Sequence, residues 1–474
     1  MDRAFRFFLS YHFILFFYVF YYLIISYFSN EFDSLHFYEI VLKVNSGDIL
    51  YADYNVWYGP HLIFFLNFLK LLNLTNYNFY IFLGLIQNIV LAYIIFKINN
   101  HFYNDKALSK SVFVLGLFCI NPMVNNFYWD YYALIFFFTS FYYYLKNDYL
   151  KSGFFGSFIF FLKQTQGVFF IFFILFLFFY DLLFKKKNIK NYLIYFLIFS
   201  LFQFIIIGMF YDINDYLYNS IYFIFGYSES LFGSKLQTIA LIILKSSFLQ
   251  VDQITIFSKD FFRHKTLILF YLIFILGFHL WAISFILKLK RNILSEKFIY
   301  FFFIFVVSCL MTSLIGRGYL SKIFIIFIFT LDLIYNNKYL YEKLYKKILF
   351  SYTILSIIFI SLISLKNFNN EFIRYENNKF LSIPKSFFQD QDLYNSTKDL
   401  KNYIYKKKLE NIFVFGNSSR LAVILNNIPT MNYNLYFYIT WQPSEILEFK
   451  NKLFNDLKTK QPKTLIYSNK ERKT

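Results

Sequence analysis

Cysteine is nearly absent from this chain. Its two copies in 474 residues, Cys119 and Cys309, both lie inside apolar runs, which leaves neither a disulfide framework nor a metal-ligand spacing. The six histidines are scattered and form no HExxH pair, so the helix-borne zinc motif is excluded. Gly416 has no GxGxxG context, which removes the dinucleotide-binding fingerprint. Charge is sparse at 16% of residues, and no convincing internal repeat is present. The apolar stretch after the basic start MDRAFR is too long for a signal peptide and no small-residue cleavage site follows it, so it is expected to stay as a first span.

What remains is hydrophobic: 58% of the chain, with 73 Phe and 44 Tyr. The aromatics and the net charge of +19 invite a nucleic-acid reading. Phe, Tyr, Ile, Lys and Asn all have AT-rich codons, however, and most Lys and Arg fall in short loops, so no nucleic-acid partner is expected. Apolar runs of about 20 residues can each cross a bilayer core of about 30 Å, and lipid requires them to be helical. The fold class expected is a polytopic α-helical membrane protein.

Loop charge orients it. Six basic clusters are expected in the cytoplasm: Arg3 with Arg6; Lys97, Lys106 and Lys110; Lys146 and Lys151; Lys185 to Lys187 with Lys190; Lys288, Lys290, Arg291 and Lys297; and Lys338, Lys343, Lys346 and Lys347. This predicts about eleven transmembrane helices, at 7–28, 79–97, 110–126, 131–146, 151–162, 165–184, 191–211, 266–289, 298–315, 319–335 and 347–366, with the N-terminus inside. The segment 61–74 is short, carries Lys70 and breaks the charge parity if it spans, so it is expected to lie in the outer interface. The transmembrane domain is placed at 1–366, with a first outer loop at 29–78. Residues 367–474 are polar. The strand patterns NIFVFGN and TLIYSN and intervening helical patterns predict a small extracytoplasmic α/β domain there. A bacterial inner membrane is the expected location.

Four charged residues fall on the outer side of that topology: Asp33 after the first span, Asp130 at the start of WDYYALIFF, Lys163 in the turn FLKQTQG and Arg317 in GRGYL. Singly they read as a solvated loop acid, a helix-dipole partner and two snorkelling cations. Together, at one membrane depth, ionisable groups pair or work.

In that order the motifs FDSLHFYEIVLKVNSGDILYADYNVWYGP, WDYYALIFF, FLKQTQG and GRGYLSKIF, with the C-terminal α/β segment, resemble the GT-C glycosyltransferases, polytopic enzymes that use polyprenyl-phosphate sugars such as aminoarabinose, mannose or galacturonic acid. The resemblance implies Asp33 as catalytic base, Asp130 as second acid, and Lys163 and Arg317 on the donor phosphate. It implies site-lining roles for His36, where some members carry Arg, and Tyr58. Tyr58-Gly59-Pro60 stands where the aminoarabinose transferases carry Lys-Pro, a departure from that subgroup. The implied partners are a polyprenyl-phosphate-linked sugar donor, a glycan, lipid or protein acceptor, and membrane lipids. Asp33 and Asp130 with water could hold Mg²⁺ or Mn²⁺; no DxD pair accompanies Asp130, so an obligate metal is not expected.

Two other classes remain open. A Wzy-like polysaccharide polymerase would rely on arginines in large outer loops, whereas 213–262 carries only Lys235, Lys245 and Lys259 as basic residues. A lipid-linked glycan transporter or flippase would need charge within spans and a repeat; the expected span interiors read as nearly free of charge.

Overall fold

The computed structural model describes residues 11–28, 59–74, 77–119, 129–162, 164–183, 188–217, 318–366, 391–409, 412–416 and 464–468, together with positions 277, 280, 281, 283, 284 and 458. These residues are mostly helical. The helices are α1 (Tyr11–Phe28), α2 (Pro60–Leu71), α3 (Tyr77–Tyr103), α4 (Lys106–Cys119), α5 (Trp129–Leu145), α6 (Tyr149–Leu162), α7 (Gln164–Leu183), α8 (Asn188–Phe210), α9 (Ile213–Leu217), α10 (Gly318–Asn336), α11 (Tyr345–Lys366) and α12 (Gln391–Lys407). Every apolar run assigned to a span within the described residues is a helix. The segment 298–315, most of 266–289 and residues 367–390, just past the proposed boundary, lie outside them.

Among the described residues two helical stretches, Phe79–Tyr103 and Ile189–Phe210, are long and apolar enough to cross a membrane. The second covers little of itself: Leu197, Ile198, Leu201, Phe202, Ile205, Met209 and Phe210 are all more than half exposed. A helix hydrophobic all round is at home in a large core or in lipid, and among the described residues no core covers that side of α8.

Adjacent helices pack as a row in which α10 and α11 meet α4, α4 meets α3, α3 meets α5, α5 meets α6 and α6 meets α8. Helix α1 lies against α3 and α4. Tight turns make the antiparallel pairs. Asn147 follows α5 with φ 60°, and the N–H groups of Asn147 and Asp148 return to the carbonyls of Tyr144 and Tyr143 at 3.0 Å each, the Schellman pattern in which an asparagine replaces the usual glycine. Asp148 then accepts the Lys151 N–H at 3.2 Å and opens α6. The α3–α4 turn repeats the Asn-Asp pair: Asn104 has φ 46°, and Asp105 accepts the N–H groups of Ala107 and Leu108 at 2.9 and 3.0 Å. Lys97, read as a loop residue, lies within α3. The helix continues through Asn99, Asn100 and His101 to Tyr103, and the Lys97 ammonium sits 5.1 Å from the centre of the Tyr93 ring one turn back.

Helix α6 is short and small-faced. Ser140 Oγ donates to the Ser152 carbonyl at 2.8 Å and Ser152 Oγ donates to the Ser140 carbonyl at 2.7 Å, which joins α5 to α6 reciprocally. On the opposite side a Cβ at Gly153 would lie 2.7 Å from both the Phe196 nitrogen and Tyr195 Cβ of α8. Close backbone approach through small residues is how helices associate where no hydrophobic drive operates between them.

Strands β1 (Ile412–Gly416) and β2 (Thr464–Ser468) form at the two strand patterns and pair in parallel, with Ile412 opposite Thr464 and Gly416 opposite Ser468. A parallel pair requires a crossover of about a dozen residues or more, and the intervening sequence is ample.

The packing yields a contrast. Gly153→Leu should weaken α6–α8 docking by about 1–3 kcal/mol and lower the thermal midpoint in detergent. Asp148→Ala, at an exposed turn, should cost about 1 kcal/mol. A wild-type midpoint for Gly153→Leu would contradict the close approach.

Candidate functional site

The last carbonyls of a helix have no partner within it. At the end of α6 the Leu162 carbonyl takes two donors from elsewhere in the chain: the Gly59 N–H at 2.8 Å and the Trp129 indole Nε1–H at 2.9 Å. Trp129 is 1% exposed, so this bond is made away from solvent. Gly59 precedes α2 with Pro60 at its first position, a residue pre-set for a helix start. A Cβ at Gly59 would overlap the Phe161 carbonyl oxygen at 1.7 Å, so only glycine fits. Its φ of −71° is ordinary; the requirement is space.

Three of the expected site positions adjoin this junction. Tyr58 is bonded to Gly59, Lys163 to Leu162 and Asp130 to Trp129. The residues that meet at the Leu162 carbonyl are thus the chain neighbours of three expected positions. Asp130 belongs to the first turn of α5, where the helix dipole favours a carboxylate. Asp33, His36, Tyr58, Lys163 and Arg317 lie outside the described residues. Gly318, which follows Arg317, begins α10. Among the described residues no group of three or more His, Cys, Asp or Glu could hold a metal ion.

A histidine that the sequence reading passed over lies one helical step away. His61, in the first turn of α2, places Nε2 2.6 Å from Gln203 Oε1 on α8. Gln203 Nε2 in turn donates to Ser157 Oγ on α6, and Ser157 Oγ donates to the Phe154 carbonyl at 2.7 Å. The His61 ring packs on Phe158 at 5.0 Å between centres and edge-on to Phe161 at 5.9 Å. Burial pushes its pKa from 6.5 down to about 4, with the Gln203 bond opposing only in part. An aromatic row continues from His61 through Phe158, Phe136 and Tyr132 to Trp129 and Phe65. The signal available in the sequence was YGPH: a helix start with histidine in its first turn.

The far ends of the helices hold two acids that qualify the reading of charge-free spans. Asp181 is 3% exposed and accepts from Tyr144 Oη at 3.0 Å and from the Ile189 N–H. Asp332 is 6% exposed and accepts from Tyr103 Oη at 2.7 Å, Asn336 Nδ2 at 2.9 Å and Trp281 Nε1 at 3.0 Å. Asp181 lies near the end of α7, about 25 Å along the helix from Gln164 at 1.5 Å per residue. Neither acid sits mid-span. They tie helix ends together, which satisfies buried carboxylates without a midplane site.

Trp129→Phe keeps an aromatic ring, though a smaller one, and removes one donor from Leu162. It should cost about 1–3 kcal/mol, read as a lower thermal midpoint in detergent, and an unchanged midpoint would show the indole bond to be dispensable. His61 has its own pH signature. The unfolded chain takes up its proton near pH 6.5 and the folded protein only near 4, so His61 should leave stability flat above pH 7 and lower it as pH falls between those values. His61→Phe should remove that limb, and its persistence would assign it to another group. No protein-family model and no curated protein matches the chain.

Proposed function

We propose that the chain is a polytopic GT-C-like membrane glycosyltransferase of about eleven spans, with a small extracytoplasmic α/β domain after residue 366. It moves a sugar from a polyprenyl-phosphate donor to an acceptor hydroxyl on a glycan, lipid or protein at the outer face. The observation that carries this reading is the junction at Leu162. The chain neighbours of Tyr58, Asp130 and Lys163, sequence-distant positions singled out for this chemistry, share one carbonyl there. The basic turn at Lys146 to Lys151 lies at the other end of the α5–α6 pair, as the charge rule requires if the junction faces outward. Helix α2 then rests in the outer interface beside it.

The chemistry follows from the residue types. The acceptor oxygen attacks the anomeric carbon while the bond from that carbon to the phosphate oxygen breaks, with inversion. The hydroxyl proton passes to the Asp33 carboxylate, and the bonding pair leaves with the polyprenyl phosphate. General-base help of this kind contributes about 10²- to 10⁴-fold. Lys163 and Arg317 stabilise the departing phosphate by charge-assisted hydrogen bonds, for which Arg offers a forked geometry. Asp130 is the second acid of the site, and His36 and Tyr58 line it.

Glycan and lipid profiling of a deletion strain should reveal a missing sugar. Complementation with Asp33→Asn should leave it missing, with transfer down at least about 100-fold and the protein still present in membranes. Full restoration by that variant ends the assignment.

A further inference from the structure

We propose that His61 is a sugar-binding residue of the site, its Nδ1 lone pair accepting a hydrogen bond from a hydroxyl of the glycosyl group held beside the Leu162 carbonyl; this rests on the glycosyl-transfer reading above. Ser157 on α6 fixes the chain of donors. Its single hydroxyl proton is spent on the Phe154 carbonyl at 2.7 Å, so its oxygen must accept from Gln203 Nε2. That orients the Gln203 amide and turns Oε1 toward His61 at 2.6 Å. An amide oxygen only accepts, so His61 Nε2 carries the proton. A neutral imidazole has one such proton, and Nδ1 is left with its lone pair. Among the described residues Nδ1 has no protein partner.

The surroundings fit a ligand contact. His61 as a whole residue is half-buried. Phe158, Phe161 and Phe64 surround it at 5.0, 5.9 and 6.2 Å between centres. Small-molecule sites combine such apolar walls with a few placed polar groups. His61 lies two residues after Gly59, and its ring meets the residue before Leu162. A purely structural tie between α2 and α8 through Nε2 leaves the same lone pair at Nδ1, so substitution is what tells the two roles apart.

Two substitutions separate the roles. In His61→Gln the side-chain amide reaches the Nε2 position and can keep Gln203, but the Nδ1 acceptor is gone. In His61→Asn an oxygen stands near the Nδ1 position and the bond to Gln203 is lost. With the polyprenyl-phosphate-sugar fraction extracted from the same cells as donor, His61→Gln should raise KM about tenfold at an unchanged thermal midpoint. His61→Asn should stay within about threefold of the wild-type KM and melt lower. The reverse pattern, with His61→Gln at the wild-type KM, overturns the proposal in favour of a structural tie. A readout independent of transfer is ¹⁵N resonance of the imidazole in purified full-length protein, titrated with n-octyl glycosides of a hexose panel. The Nδ1 signal of His61 should move with a glycoside and not with octyl tetraethylene glycol. Absence of movement with every glycoside overturns the proposal even if transfer is intact. A shift alongside full activity of Asp33→Asn keeps His61 as a sugar contact and removes the transferase reading.

Discussion

A helix that ends inside a bundle must find donors for its last carbonyls, and α6 ends at Leu162 with donors that belong to two other parts of the chain. The Gly59 N–H and the Trp129 indole meet the same oxygen. Leaving a buried acceptor without a donor costs about 1–3 kcal/mol, so this oxygen locates the start of α2 and the start of α5 relative to α6. Gly59 is the tightest component, because its backbone touches the Phe161 carbonyl where no side chain fits. Gly59, Trp129 and Leu162 are the chain neighbours of Tyr58, Asp130 and Lys163.

The two ends of the α5–α6 pair are built by different physics. The turn at Asn147 and Asp148 is local: a left-handed asparagine closes one helix and the next aspartate caps the following one. The end at Leu162 is assembled from residues about 30 to 100 positions away in sequence. Between them the small face of α6 lets α5 and α8 come close, and the reciprocal Ser140–Ser152 bonds join the α5 side. His61, Gln203 and Ser157 add a polar thread through the same three-helix contact, joining α2 to α8 and α6. Buried Asp181 and Asp332 close other helix ends by accepting from tyrosine and backbone or side-chain N–H groups, and so carry out structural work that a count of charges along the spans does not distinguish from function.

Much of this was legible residue by residue. Long apolar runs can satisfy their backbones only as helices, so α3, α5, α7, α8 and α11 stand close to where hydropathy placed them. The apolar runs in NIFVFGN and TLIYSN marked β1 and β2. Boundaries shifted where a polar tail stayed helical: α3 runs past Lys97 to Tyr103 because no breaker intervenes before Asn104. The importance of Gly59 and His61 was not legible. Glycine before proline and histidine after it looks like any helix start, and only the arrival of Phe161, Leu162 and Gln203 from distant segments gives the two residues their roles.

By itself the sequence determined the helical character, the alternating turns and their Asn-Asp chemistry, since these depend on local propensity and on the need to satisfy each backbone group within its own segment. The tertiary structure alone decided which helix end meets which. A carbonyl such as that of Leu162 accepts from any donor that reaches it, and no pattern in the neighbouring residues names the donor. It also decided which nitrogen of His61 carries the proton, because that is dictated by an amide and a hydroxyl on two other helices.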